Sequence, residues 1–139
     1  MKFMRFIFAV FVAWIIITLG GALWHEVVFD DWYTEWVAGI ERTQMPIKYF
    51  LITHAMRALA FVYVYFMLYK GGNPYVKGLK FGFLMGILTG VTVTSYYGDF
   101  IITSPSWVLL EFAFNVVRAI LVGISTALII GEREAKAIA

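Results

Sequence analysis

Four long runs of apolar residues, separated by short polar segments, dominate the pattern of the chain. They lie at about residues 3–28, 46–69, 78–102 and 105–130. A helix needs about 20 mostly apolar residues to cross the hydrocarbon core of a bilayer, and each run reaches that length. The pattern therefore predicts an all-α integral membrane protein, a four-helix bundle forming one transmembrane domain over residues 1–139.

Turn residues in the polar segments set the expected ends of the helices. The segment 70–74, Lys-Gly-Gly-Asn-Pro, predicts a stop after the second helix, because glycine favours a helix C-cap and proline cannot continue a helix. Ser104 and Pro105 predict the start of the fourth helix. In the first loop, apolar and acidic residues recur at helical spacing over 29–42, which predicts a short interfacial helix, either an anchor or a gate over a site.

Basic residues are divided unequally between the two ends of the predicted helices. One end and the adjoining termini hold Lys2, Arg5, Lys70, Lys77, Lys80, Arg133 and Lys136, whereas the other end holds Arg42 and Lys48. Because loops rich in Lys and Arg stay in the cytoplasm, both termini are expected to be cytoplasmic.

Composition agrees with a membrane protein. The chain is 62% hydrophobic and 14% charged, whereas soluble domains are about 45–50% apolar and about 25% charged. It contains no cysteine, so disulfides, thiolate metal ligands and cysteine nucleophiles are excluded.

Short segments of the second and fourth predicted helices are alike. His54–Leu59 and Asn115–Ile120 share the pattern polar-x-x-Arg-Ala-aliphatic, and Leu-Gly or Leu-x-Gly elements occur in the first and third helices. This is typical of a two-helix hairpin duplicated in parallel. Chance similarity between apolar helices explains so short a match equally well.

Glycines form a stripe along one face of the third predicted helix, at Gly78, Gly82, Gly86 and Gly90. Small residues at this spacing let a second helix backbone approach closely in lipid. The partner is either another helix of this chain or a second copy, which would make the third helix the surface of a homo-oligomer or of a larger membrane complex.

Arg57 and Arg118 fall near the middle of the second and fourth runs. A permanent charge there costs several kcal/mol, so each arginine is expected to face the bundle interior and find acceptors. Other polar residues of the helices and their outer ends complete a candidate ligand-binding set: Arg57, Arg118, Glu111, His54, Asn115, His25, Glu26 and Asp99.

Three interpretations of this polar set remain open. In the first, the arginines pair with Glu111, Glu26 or Asp99 and only lock the helices together. In the second, they lie at the base of an outward-facing cavity and bind an anion or an anionic lipid head, because guanidinium groups bind carboxylate and phosphate bidentately. In the third, Glu111 and His54 exchange protons along a path through the membrane.

The sequence predicts no cofactor and no metal site. The histidines and carboxylates lack the close spacing of metal ligands, and His25 and His54 fall at different depths, which disfavours haem ligation by both. No phosphate loop or nucleotide fingerprint occurs, and no nucleic-acid partner is expected.

The order of features resembles an uncharacterised family of small bacterial four-helix membrane proteins. The shared features are a glycine-rich first helix ending in Trp, as in Gly20-Gly21-Ala22-Leu23-Trp24, and the glycine-spaced third helix. The family's fourth helix opens with an acidic residue followed four positions later by His, where this chain has Glu111 and Asn115. The resemblance implies a fold and a bacterial inner membrane location, but no activity.

These observations favour a multi-pass membrane protein that binds or transports an anionic or amphiphilic small molecule. One alternative is a non-catalytic accessory or self-associating subunit of a membrane complex. The other is a membrane enzyme acting on a lipid, with His54 or His25 as the base, which requires a base beside a cleft.

Overall fold

The computed structural model describes residues 2–31, 47–96 and 105–131, and four long helices make up nearly all of this part of the chain. Helix α1 (Lys2–Leu23) continues into a π-helical turn (Trp24–Val28), and α2 (Ile47–Leu68), α3 (Pro74–Tyr96) and α4 (Pro105–Gly131) follow. No strand occurs among the described residues. All four helices are long and apolar enough to cross a membrane, so the predicted all-α architecture is confirmed in helix number and length.

The third helix begins at Pro74, four residues before the expected start at 78. The Asn73 side-chain oxygen accepts hydrogen bonds from the backbone N–H groups of Tyr75 (3.0 Å) and Val76 (3.3 Å). Asn73 is therefore the N-cap, and Pro74 is the first helical residue. Gly71 and Gly72 have positive φ angles of 86° and 103° and reverse the chain before it. The segment 70–74 therefore ends one helix and starts the next.

Parts of the expected structure lie outside the described residues. These are most of the interfacial helix predicted at 29–42, the predicted end of the third helix, and Asp99.

The two central helices of the bundle are α1 and α4. Helix α4 packs along α3 on one side and against α1 on the other, and α1 packs against α2. Helix α2 approaches α4 at few positions and is not closely packed on α3. Small side chains line the α1 contacts, with Ala9, Ala13 and Ala58 almost fully buried, so these backbones lie close together.

The predicted glycine stripe faces α4. A Cβ atom placed on Gly82 would lie 2.6 Å from the Ala119 carbonyl oxygen, and one on Gly86 would lie 2.7 Å from the Val116 Cα. Backbone atoms cannot yield as a flexible side chain can, so these positions require glycine. The stripe thus serves packing within the chain, while association of the third helix with another copy stays a prediction.

The outward faces of all four helices are apolar. Leu19, Met56, Leu84 and Leu109 are examples of large side chains that are more than half exposed. Apolar surface of this extent is typical of a protein that faces lipid or a partner, because soluble monomers rarely expose so much.

Candidate functional site

The centre of the bundle holds a polar cluster contributed by α2 and α4. Arg57 lies ten residues after the start of α2, and Asn115 lies ten residues after the start of α4. At a rise of about 1.5 Å per residue, both are about 15 Å from the same end of the bundle. Arg118 follows less than one turn after Asn115, so the cluster lies near mid-height.

A single amide oxygen joins the two arginines. Asn115 Oδ1 accepts one hydrogen bond from Arg118 Nη2 at 2.7 Å and a longer one from Arg57 Nη2 at 3.4 Å. The Asn115 amide nitrogen donates to the Glu111 carbonyl at 2.9 Å, which fixes the orientation of the side chain. No carboxylate within the described ranges forms an ion pair with either arginine. The two cations of the cluster therefore share one neutral side-chain acceptor.

Arg118 is enclosed on all sides by α1 and α4. It is 8% exposed, its Nη1 donates to the Ile17 carbonyl at 3.4 Å, and its guanidinium lies 4.7 Å from the Phe114 ring centroid. Glycines of α1 make room for it, since a Cβ on Gly20 would lie 3.4 Å from Cδ and one on Gly21 3.2 Å from Nη1. The side chain of Arg118 is thus part of the packed interior.

Arg57 is only half-buried. Its 3.4 Å bond to Asn115 is the one hydrogen bond that it forms in the described part of the chain. A guanidinium carries several N–H donors in a planar fork. Most of the donors of Arg57 thus remain for a ligand or for water.

Glu111 is hydrogen-bonded to the π-helical turn that follows α1 rather than to an arginine. Its Oε1 accepts a 2.7 Å hydrogen bond from Trp24 Nε1 and lies 3.8 Å from His25 Nδ1. The Trp24 ring stacks on Phe114 with centroids 4.2 Å apart. The π-helical turn brings Trp24 and His25 to the same carboxylate, and such turns frequently occur at functional sites.

Another carboxylate of the predicted site, that of Glu26, forms no ion pair with an arginine in the described part of the chain. Glu26 is exposed in the middle of the π-helical turn, and Asp99 lies outside the described residues. Of the carboxylates expected to pair with the arginines, the structure therefore places Glu111 and Glu26 in other surroundings.

The two histidines are separated from each other in the structure. His25 lies beside Glu111, whereas His54 Nδ1 hydrogen-bonds the Phe50 carbonyl at 2.7 Å, one turn from Arg57. The proton of this bond sits on Nδ1, because a carbonyl can only accept, so Nε2 of a neutral His54 is an acceptor. Within the described ranges, no three His, Asp or Glu side chains come together as metal ligands.

Sequence reasoning missed Phe114 and the glycine pair of α1, which contact Arg118, and it missed Trp24, which binds Glu111. Phe114 precedes Arg118 by four residues, a spacing at which helix side chains meet, so this contact had a signal. The Gly20-Gly21 pair also signalled a close approach to the first helix. The contact between Trp24 and Glu111 had no signal in the sequence, because the π-helical turn rotates the side chains away from the directions expected for an α-helix.

Fold and site together define a small bundle of four membrane-length helices with paired arginines at its centre. Comparison with protein-family models, curated proteins and solved structures finds no match for this chain. The resemblance to small bacterial four-helix membrane proteins therefore stays a prediction.

Proposed function

We propose that the chain is a multi-pass protein of a bacterial inner membrane, with both termini in the cytoplasm. The apolar outward faces and the lengths of α1 to α4 support insertion. Exposed Lys70, Lys77 and Lys80 cluster at the α2–α3 connection, which supports a cytoplasmic position for that end. The likeness of the Arg57 and Arg118 segments supports a parallel repeat of two hairpins.

We further propose that the central cluster binds, or carries across the membrane, an anionic or amphiphilic small molecule. The observation that carries this proposal is the sharing of one neutral amide oxygen by Arg57 and Arg118. A cation within a membrane protein costs several kcal/mol unless it is paired. An oxyanion would neutralise the excess charge of the pair and accept hydrogen bonds from the remaining donors of Arg57.

The other polar residues have supporting roles in this proposal. Asn115 holds the two arginines together, and His54 offers a further polar group one turn from Arg57. Glu111 is bound to Trp24 and does not occupy the place of the ligand. A purely structural role for the cluster is disfavoured because Arg57 forms one long hydrogen bond in the described part of the chain, although its guanidinium could donate several.

Calorimetric titration of the protein in phosphatidylcholine nanodiscs tests the proposal. The ligands are inorganic phosphate, acetate, laurate and dodecyl phosphate, with dodecyltrimethylammonium as the cationic control and empty nanodiscs as the blank. At least one oxyanion is expected to bind, and Arg57→Gln should weaken it about tenfold or more, since hydrogen bonds to charged groups contribute about 1.5–3 kcal/mol.

Lys48→Gln is the matched control, because it removes one positive charge from an exposed position near the start of α2. It should leave the affinity unchanged. Absence of binding by every oxyanion, or an equal loss in both variants, would contradict a specific site at Arg57.

A further inference from the structure

One stripe of α2 changes its surroundings at Arg57. Phe50, His54, Arg57 and Phe61 follow one another at spacings of four, three and four residues and so share a helix face. Phe61 meets Phe81 of α3, with ring centroids 5.0 Å apart. The other three side chains are half-buried, and within the described ranges none of them forms a hydrogen bond, ion pair or ring contact with α3.

The facing stripe of α3 continues from the same contact. Phe81, Met85 and Thr89 are spaced by four residues and are all half-buried. The Thr89 hydroxyl donates to backbone carbonyls of its own helix, Met85 at 2.9 Å and Gly86 at 3.3 Å, and so makes no bridge to α2. This stripe runs beside the glycine stripe that holds α3 on α4.

Helices α2 and α3 meet at Phe61 and Phe81 but are not closely packed on each other. We infer that the two stripes line a groove between these helices, the α2–α3 groove, with Phe50, His54, Arg57, Met85 and Thr89 as its walls. Aromatic rings close the groove at the end nearer the α2–α3 connection. There Tyr65 and Phe61 both lie about edge-on to Phe81, with ring centroids 5.1 and 5.0 Å from that of Phe81. Asn115 of α4 lies at its base, bonded to Arg57. The groove therefore ends at the arginine with spare donors.

The lining defines the chemistry of the occupant. Phe50 and Met85 offer apolar surface, and Arg57 offers one permanent cation at the closed end. A free inorganic anion would lose its hydration there and gain contacts only at its charge, whereas an amphiphile would also gain from every methylene buried along the walls. Arg57 lies about 15 Å from the Ile47 end of α2, and a compact head has the least polar surface to bury at that depth.

We propose that the α2–α3 groove binds an amphiphile with a compact oxyanionic head, a carboxylate or a phosphate monoester, taken laterally from the membrane. Its head contacts Arg57 and its chain lies between α2 and α3. This inference rests on the proposed oxyanion site and adds the class of ligand and its route. Arg118 neutralises charge from behind Asn115 and does not touch the ligand.

Two comparisons in nanodiscs test the ligand class and the route. Dodecyl phosphate should bind wild-type protein at least about tenfold more tightly than inorganic phosphate does, after subtraction of its partition into empty nanodiscs. Thr89→Phe places a ring in the groove without removing an interhelical hydrogen bond. This variant should bind dodecyl phosphate about tenfold more weakly than the wild type does.

Thr92→Phe is the matched control for the groove. Thr92 is exposed on α3, and its hydroxyl also donates to a carbonyl of its own helix, Leu88, at 2.9 Å. This variant should bind as wild type does, and both variants should keep the wild-type circular dichroism.

Other results would overturn the inference in distinguishable ways. If inorganic phosphate binds as tightly as dodecyl phosphate and both depend on Arg57, the oxyanion site stands but its ligand is water-soluble. If Thr89→Phe has no more effect than Thr92→Phe, the chain does not lie in the α2–α3 groove. If dodecyl phosphate binds equally to wild type and Arg57→Gln, the oxyanion site itself is wrong.

Discussion

Arg57 and Arg118 occupy matching positions in similar helix segments, yet their surroundings differ. Both contact the same Asn115 oxygen near the middle of the bundle. Arg118 is 8% exposed, with a backbone carbonyl and an aromatic ring as further partners, whereas Arg57 is half-buried and has one long hydrogen bond in the described part of the chain. The local sequence places a cation at a given depth, and the neighbouring helix determines how completely that cation is buried.

Helix α1 makes the difference between the two arginines. It presents Gly20, Gly21 and the Ile17 carbonyl to Arg118. The polar residues three positions before each arginine also differ. Asn115 reaches both guanidinium groups, while His54 turns back to the carbonyl of Phe50.

The largest expected effect is a difference in protein stability between variants of the two arginines. Arg118→Leu should lower the free energy of unfolding by roughly 3 kcal/mol, because it removes charge-assisted hydrogen bonds and a cation–π contact. Arg57→Leu should not lower it, because it removes a poorly paired cation from the middle of the membrane. Unfolding of both variants in mixed dodecylsulfate and dodecylmaltoside micelles measures this, and equal losses would remove the distinction.

Gly21→Val should disturb Arg118 from the side of α1. A Cβ there already lies 3.2 Å from Arg118 Nη1, and the added methyl groups would displace the guanidinium at a cost of about 1–3 kcal/mol. Ala22→Val, one residue further at a half-buried position, is the control and should change stability little. Thermal unfolding in nanodiscs distinguishes them, and a stable Gly21→Val protein would show that Arg118 has room to move.

Trp24→Phe should leave the buried Glu111 carboxylate without its 2.7 Å donor. The expected loss of stability is about 1–3 kcal/mol. Trp14→Phe is the matched substitution, since Trp14 donates at 3.2 Å to the Leu51 carbonyl. The Leu51 carbonyl lies within α2 and keeps its hydrogen bond inside that helix. The loss of stability should therefore be smaller, about 0.5–1.5 kcal/mol. Equal effects in the same unfolding titration would show that the Glu111 contact adds little.

The sequence predicted the elements of this fold well because its signals are local. The lengths of the apolar runs predicted the number and approximate ends of the four helices. The cost of a charge in lipid predicted that both arginines have polar hydrogen-bond partners. The start of the third helix was predicted four residues late because Asn73-Pro74 was assigned to a stop signal alone. The same dipeptide caps the next helix.

The partners of the site residues could not be predicted in the same way. Glu111 shares a helix face with Asn115 and Arg118, which suggested an ion pair. Helical spacing says nothing about competing donors on other helices, and Trp24 supplies one after a change of helical phase. Nor does spacing reveal that α1 covers Arg118 while Arg57 stays half-buried. These outcomes depend on how the helices pack together.

Neither arginine is hydrogen-bonded to a carboxylate in the described part of the chain, and we propose that Arg57 contacts the ligand. The most direct measurement is the titration of dodecyl phosphate into Asn115→Asp protein in nanodiscs, because this nearly isosteric change supplies a carboxylate where both guanidinium groups already point. Affinity should fall about tenfold or more while the protein stays folded. Unchanged or tighter binding by the folded variant would contradict the account.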